Sequence, residues 1–227
     1  MSSQQKKQIL ILSGFFIASV ILWNNIIIYP IKLFVVMLHE MSHCLTAVLL
    51  GGQIQEIQID HRIGGYCRTI SPQTFFTHFF IASAGYLGSL IWGGLILIVA
   101  FKTEYDRYVS LAIGIVAAIL SVYVIKTGEL FGILFSFGFS FMMIVSYKFL
   151  SNTFHDYMLK FLGLTSCMYT VIDIKSDLID RTGIGSDADA IAALTGIPSI
   201  LVGLAWMLIA LAMVFYIFKI AFRQRPI

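Results

Sequence analysis

Two histidines four residues apart with a glutamate beside the first, His39-Glu40-Met41-Ser42-His43, are the residues of this chain best equipped for chemistry. On a helix, positions i and i+4 share a face, so both imidazoles can reach one point in space. Imidazole nitrogen suits zinc, and two such ligands supply half of a tetrahedral site. Glu40 projects from the next position, where its carboxylate can take a proton from a water activated by the metal. The spacing therefore predicts metal-assisted peptide hydrolysis, with zinc as cofactor, His39 and His43 as ligands and Glu40 as the catalytic base. The flanks argue against a merely structural role. Phe34-Val35-Val36-Met37-Leu38 precedes the motif and Ala47-Val48-Leu49-Leu50 follows it. Ionisable groups among such residues are costly in a membrane and usually mark function.

The elements that carry these residues must sit in lipid. Of 227 residues, 59% are hydrophobic and 12% charged, against about 45–50% and about 25% in ordinary soluble domains; mean hydropathy is +0.89. Residues 8–31, 79–101, 108–125, 130–147 and 190–218 contain no Asp, Glu, Lys or Arg. Each approaches the roughly 20 apolar residues that a helix needs to cross a bilayer. Segments 33–50 and 157–174 are also apolar but are shortened by ionisable residues. The expected architecture is all-α: a polytopic membrane helix bundle of about six or seven membrane segments. It forms a single multi-pass domain, residues 1–227, with a catalytic core over about 31–198. The first run, after Lys6 and Lys7, is too long for the apolar core of a signal peptide and reads as a retained span. Those lysines favour a cytoplasmic N-terminus, and Lys219, Arg223 and Arg225 a cytoplasmic C-terminus. Both clusters together require an even number of crossings, yet seven segments are candidates, so either one of them is re-entrant or incomplete, an ionisable segment first, or one basic cluster breaks the rule.

Residues 51–77 form a polar connector. Within it, residues 53–60 alternate apolar and polar side chains as a strand does, and Gly64-Gly65 reads as a turn, which predicts a small hairpin over the site. A net charge of +3 without a basic, aromatic-interleaved patch excludes nucleic acid as a partner. Cys44, Cys67 and Cys167 are widely spaced without a CxxC pair, and read as buried small residues rather than a disulfide framework or thiolate site.

With these features the chain resembles the site-2-protease-like intramembrane zinc metalloproteases, especially their small M50B-like branch. The resembling residues are His39-Glu40-Met41-Ser42-His43 with Gly51-Gly52, then Ser83-Ala84-Gly85-Tyr86-Leu87-Gly88, and finally Asp173 with Gly185-Ser186-Asp187-Ala188-Asp189-Ala190 and Thr195-Gly196-Ile197-Pro198. The resemblance spans about residues 39–198. It implies an endopeptidase that cuts a membrane protein or transmembrane helix within or near the bilayer.

A catalytic zinc takes three protein ligands and a water. The resemblance implies that the third is a carboxylate from a later membrane helix, commonly in a Leu-Asp-Gly context. Val171-Ile172-Asp173-Ile174 corresponds, without the Gly and without the usual upstream Asn-Pro. Asp173 ends an apolar segment, where an anion needs a partner, and it leads on that ground. Asp187 is the alternative, although Ser186 and Asp189 form a capping-box pattern that explains this stretch as a helix start. Asp177 and Asp180 continue the face of Asp173 and read as a solvated helix end. His61, His78 and His155 read as interfacial or surface residues. Gly85, Gly88, Gly93 and Gly94 read as close-packing positions. Two other functions use the same residue types: a metal or proton transporter, and a catalytically silent membrane scaffold.

Overall fold

The computed structural model describes residues 3–177 and 185–222. Among these, eight helices and one two-stranded sheet follow in the order α1 (Ser3–Ile21), α2 (Tyr29–Leu49), β1 (Gln53–Ile59), β2 (Gly65–Ile70), α3 (Phe75–Lys102), α4 (Asp106–Val124), α5 (Leu130–Phe149), α6 (Asn152–Lys175), α7 (Asp187–Thr195) and α8 (Ser199–Phe222). Five are long and apolar enough to cross a membrane: α2, α3, α4 with the 3-10 turn that prolongs it to Thr127, α5 and α8. The protein is an integral, multi-pass helix bundle. Arg223, Arg225 and Asp180 lie outside the described residues.

Two of the charge-free runs are broken where no charge marks the break. Residues 8–31 are not one span: α1 stops at Ile21, and α2 starts at Tyr29. Asn25 turns the chain between them by accepting the Ile27 N–H on its side-chain oxygen at 3.0 Å. Pro30 then occupies the first turn of α2, where a missing N–H costs no helical bond. Residues 190–218 likewise divide at Gly196, whose φ of 75° caps α7, and Pro198 precedes α8. Conversely, segment 33–50 is no fragment, because it belongs almost wholly to the 21-residue α2.

Two apolar cores share a wall. The first gathers α2, β1, α4 and α5 around Phe34, Ile57, Leu120 and Met143. The second gathers α1, α7 and α8 around Leu12, Ile191 and Trp206. Helices α3 and α6 serve both, Ile96 and Leu159 facing the first and Leu90 and Cys167 the second. The wall is thin because small residues meet there. A Cβ on Gly93 would lie 2.6 Å from the Ser166 Cβ, and one on Gly163 would lie 2.8 Å from the Gly93 carbonyl. Ser89 and Thr170 share a hydrogen bond of 3.1 Å across it.

The expected hairpin is present. β1 pairs antiparallel with β2, Ile57 opposite Cys67 and Ile59 opposite Gly65, with a bulge between Ile54 and Glu56. Ile57 and Ile59 point into the first core. On the other face Glu56 receives Arg68 and the Tyr66 hydroxyl, both at 3.0 Å. One expectation is corrected here: Cys44 and Cys67 form a disulfide. Spacing along the chain concealed it, since 23 positions separate the two. The hairpin folds back along α2 and brings their Cα atoms to 5.9 Å, within the bonding range. Cys167 is a buried free thiol.

Candidate metal centre

Helix α2 carries the motif. Its apolar stretch before His39 is almost completely buried, which holds the helix in the bundle while the next turn faces a cavity of about 710 Å³. His39 and His43 lie one above the other, ring centroids 4.8 Å apart. Nδ1 of His43 lies 2.6 Å from the Ile81 carbonyl of α3. A carbonyl only accepts, so Nδ1 carries the proton and Nε2 turns toward the cavity. The His39 ring meets the edge of Tyr86 at 4.9 Å. Tyr86, on α3, donates its hydroxyl to Oδ2 of Asp177, two residues past the end of α6.

The third partner comes from α7. Oδ2 of Asp187 lies 3.1 Å from Nε2 of His39 and 3.3 Å from Nε2 of His43. The three ligand atoms fall within 4.8 Å of one another and form the one such group among the described residues. Ser186 and Asp189 do form a reciprocal capping box. That box leaves the Asp187 carboxylate, in the first turn, to face the histidines. Capping and a ligand role for Asp187 are thus compatible, because different side chains would perform them. Asp173 lines the same cavity but is not one of the three. It ends α6, whereas α7 packs against α3 beside the histidines.

The residues fit a cation. Oδ2 of Asp187 is buried and finds no hydrogen bond of good geometry, although two imidazole nitrogens adjoin it. On His43 a lone pair faces a carboxylate oxygen, an arrangement a cation would relieve. The donor set of two imidazoles and one carboxylate is that of many catalytic zinc sites. The wall also makes room there. A Cβ on Gly85 would collide with Nε2 of both histidines, and one on Gly88 with Ser42. The glycines expected only to pack helices therefore also vacate the site, and the run Ser83-Ala84-Gly85 was the available signal.

Glu40 is 6% exposed and lies outside the group of three. The backbone amide of Cys67 in β2 is among the groups that act electrostatically on its carboxylate. A Cβ on Gly65 would come within 3.0 Å of Glu40 Oε1, so the hairpin backbone lies directly on this side chain. Alternation and turn residues disclosed the hairpin but not this contact. Ile63, at the turn, has a φ of 64° and lines the cavity, an unusual conformation for a β-branched residue. His78 sits beside Gln73 at 3.1 Å. The carbonyl of His61 accepts the Tyr29 hydroxyl at 2.7 Å. His155 differs from expectation: it is fully buried in α6, with Nδ1 2.8 Å from Ser110 Oγ and Nε2 3.2 Å from the Ser146 carbonyl. Those two partners satisfy its polar atoms, which makes burial tolerable.

The fold defines a class, the multi-pass integral membrane proteins. A family model described as Peptidase M50B-like matches residues 12–217, and the chain belongs to this site-2-protease-like M50 family. No curated protein and no solved structure matches it.

Proposed function

We propose that the protein is an intramembrane zinc endopeptidase that hydrolyses membrane-protein substrates within or near the bilayer. The observation that carries this reading is the convergence of His39, His43 and Asp187 beside the buried Glu40, inside helices that sit in lipid. His39, His43 and Asp187 would hold the metal. Zinc, when bound, supplies Lewis acidity toward a carbonyl and lowers the pKa of water at the site. Glu40 takes a proton from the attacking water and returns it to the departing amine. The Ile81 carbonyl keeps His43 in the tautomer that presents Nε2. Asp173 and Asp177 line the cavity and are assigned no ligand role.

A helical substrate has its backbone groups already paired, so it must unwind before a peptide bond is accessible. The sequence suggests β1 as the strand that receives it. Contacts favour β2 instead, since Tyr66 and Cys67 line the cavity while β1 packs against α4 and the 3-10 turn. Strand addition to β2 would hold an extended segment near Glu40.

The test uses the full chain in lipid nanodiscs with labelled casein, an unstructured chain, as reporter. Glu40→Gln should lower cleavage by about 10²–10⁴-fold while zinc content is retained. Undiminished cleavage would sink the assignment.

A further inference from the structure

The disulfide joins two places that matter to the site. Cys44 directly follows the His43 position and is buried in α2, whereas Cys67 is half-buried in β2 and lines the cavity. Cys67 lines the cavity with Glu40, and a Cβ on Gly65, two residues earlier, would come within 3.0 Å of the Glu40 carboxylate. The hairpin is a single two-stranded sheet, and such a unit has little stability alone. β1 is anchored through Ile57 and Ile59 in the first core. β2 has an exposed face and alternates between exposed and half-buried residues. Among the described residues, its covalent tie to α2 is the Cys44–Cys67 bond.

We propose that Cys67 is a positioning residue for Glu40, acting through its bond to Cys44, so that hydrolysis depends on the thiol–disulfide state of this pair. This rests on the endopeptidase reading and adds a regulation to that same site. The bond keeps the β2 backbone against the Glu40 carboxylate and holds the β2 edge where an extended substrate would add. The half-buried Cys67 sulfur is the approachable one. A thiolate of an external dithiol attacks it, the S–S bond breaks and Cys44 leaves as a thiolate that takes a proton. The second thiol of the donor then displaces Cys67 and closes the donor's own disulfide. Two electrons and two protons pass from donor to protein, leaving Cys44 and Cys67 as thiols. β2 then lifts from Glu40 while the histidines stay on α2.

The experiment compares disulfide and dithiol forms of the zinc-loaded full chain in nanodiscs. A phosphine is the reductant, oxidised to its phosphine oxide with oxygen from water. Thiol alkylation should count one thiol before reduction, Cys167, and three after it. Hydrogen exchange of β2 amides should rise on reduction, and kcat on casein should fall roughly tenfold, as expected when a general base is held less firmly in place. KM should move less, zinc content should not change, and reoxidation should restore both readouts. The Cys44→Ser/Cys67→Ser double variant should match the reduced enzyme and ignore the phosphine. Should that variant fail to fold, reduction of the assembled wild type decides. Unchanged β2 exchange and unchanged kcat in a verified dithiol form would overturn the proposal, as would a fall in kcat that tracks loss of zinc. Were neither form to cleave casein while zinc stays bound, the endopeptidase reading fails, and β2 exchange alone decides the clamp.

Discussion

At the scale of single residues, the partners of His39 and His43 separate what spacing can encode from what it cannot. Four positions on one helix is a local relation, so the pair and the adjacent Glu40 were readable directly. The third group stands on another helix, and no spacing rule reaches it. Asp173 leads by sequence because a carboxylate ending an apolar segment is costly without a partner. A capping pattern surrounds Asp187, but Ser186 and Asp189 do the capping and leave the Asp187 carboxylate to face the histidines. Replacement by alanine distinguishes the two. Asp187→Ala should lower zinc stoichiometry sharply, and Asp173→Ala should leave it near the wild-type value, by elemental analysis of purified protein. A second prediction concerns space. Gly85→Ala puts a methyl group where both Nε2 atoms converge, so zinc should be lost although helicity by circular dichroism stays intact. Equal zinc content in this variant would contradict the arrangement of ligands described here.

At the scale of elements, α7 is the short arm that delivers Asp187, and its start depends on one cap. Ser186 accepts the Asp189 N–H at 3.3 Å, and the Asp189 carboxylate accepts the Ser186 N–H at 3.0 Å. Removing such a cap costs about 1 kcal/mol. Ser186→Ala should therefore weaken zinc affinity roughly fivefold, measured by chelator competition, without changing stoichiometry at saturating metal. Element type was legible where apolar and polar residues repeat, as in β1. Element ends were less so: the breaks after Ile21 and Thr195 lie inside runs with no charge, signalled only by Asn25, Pro30, Gly196 and Pro198. The disulfide was hidden for a related reason, since it depends on how the hairpin folds back rather than on the interval between cysteines.

At the scale of the whole molecule, the lipid-facing surface follows from which side chains the helices leave outside. α8 buries Val202, Trp206 and Ala210, and turns Leu204, Leu208 and Leu211 outward. Leu208 is 69% exposed near the middle of the helix. An arginine at such a depth costs about 2.5–3.5 kcal/mol on insertion scales. Leu208→Arg should thus reduce the membrane-integrated fraction recovered after alkaline extraction, whereas a change of Leu208 to Phe should not.

The two cores described above meet the metal residues in an unequal way. His39 and His43 belong to the helix of one core, Asp187 to the arm of the other, and they touch across the notch that Gly85 leaves in the dividing wall. A cation bound there would be a rivet through a partition. It would bind only when both halves are assembled, so by linkage it would stabilise their union rather than either half. With zinc the bundle should melt in one calorimetric transition. After chelation the halves should part company on heating, the α7–α8 side losing order at a lower temperature than the α4–α5 side. A single unshifted transition in both states would show that the rivet carries no mechanical share.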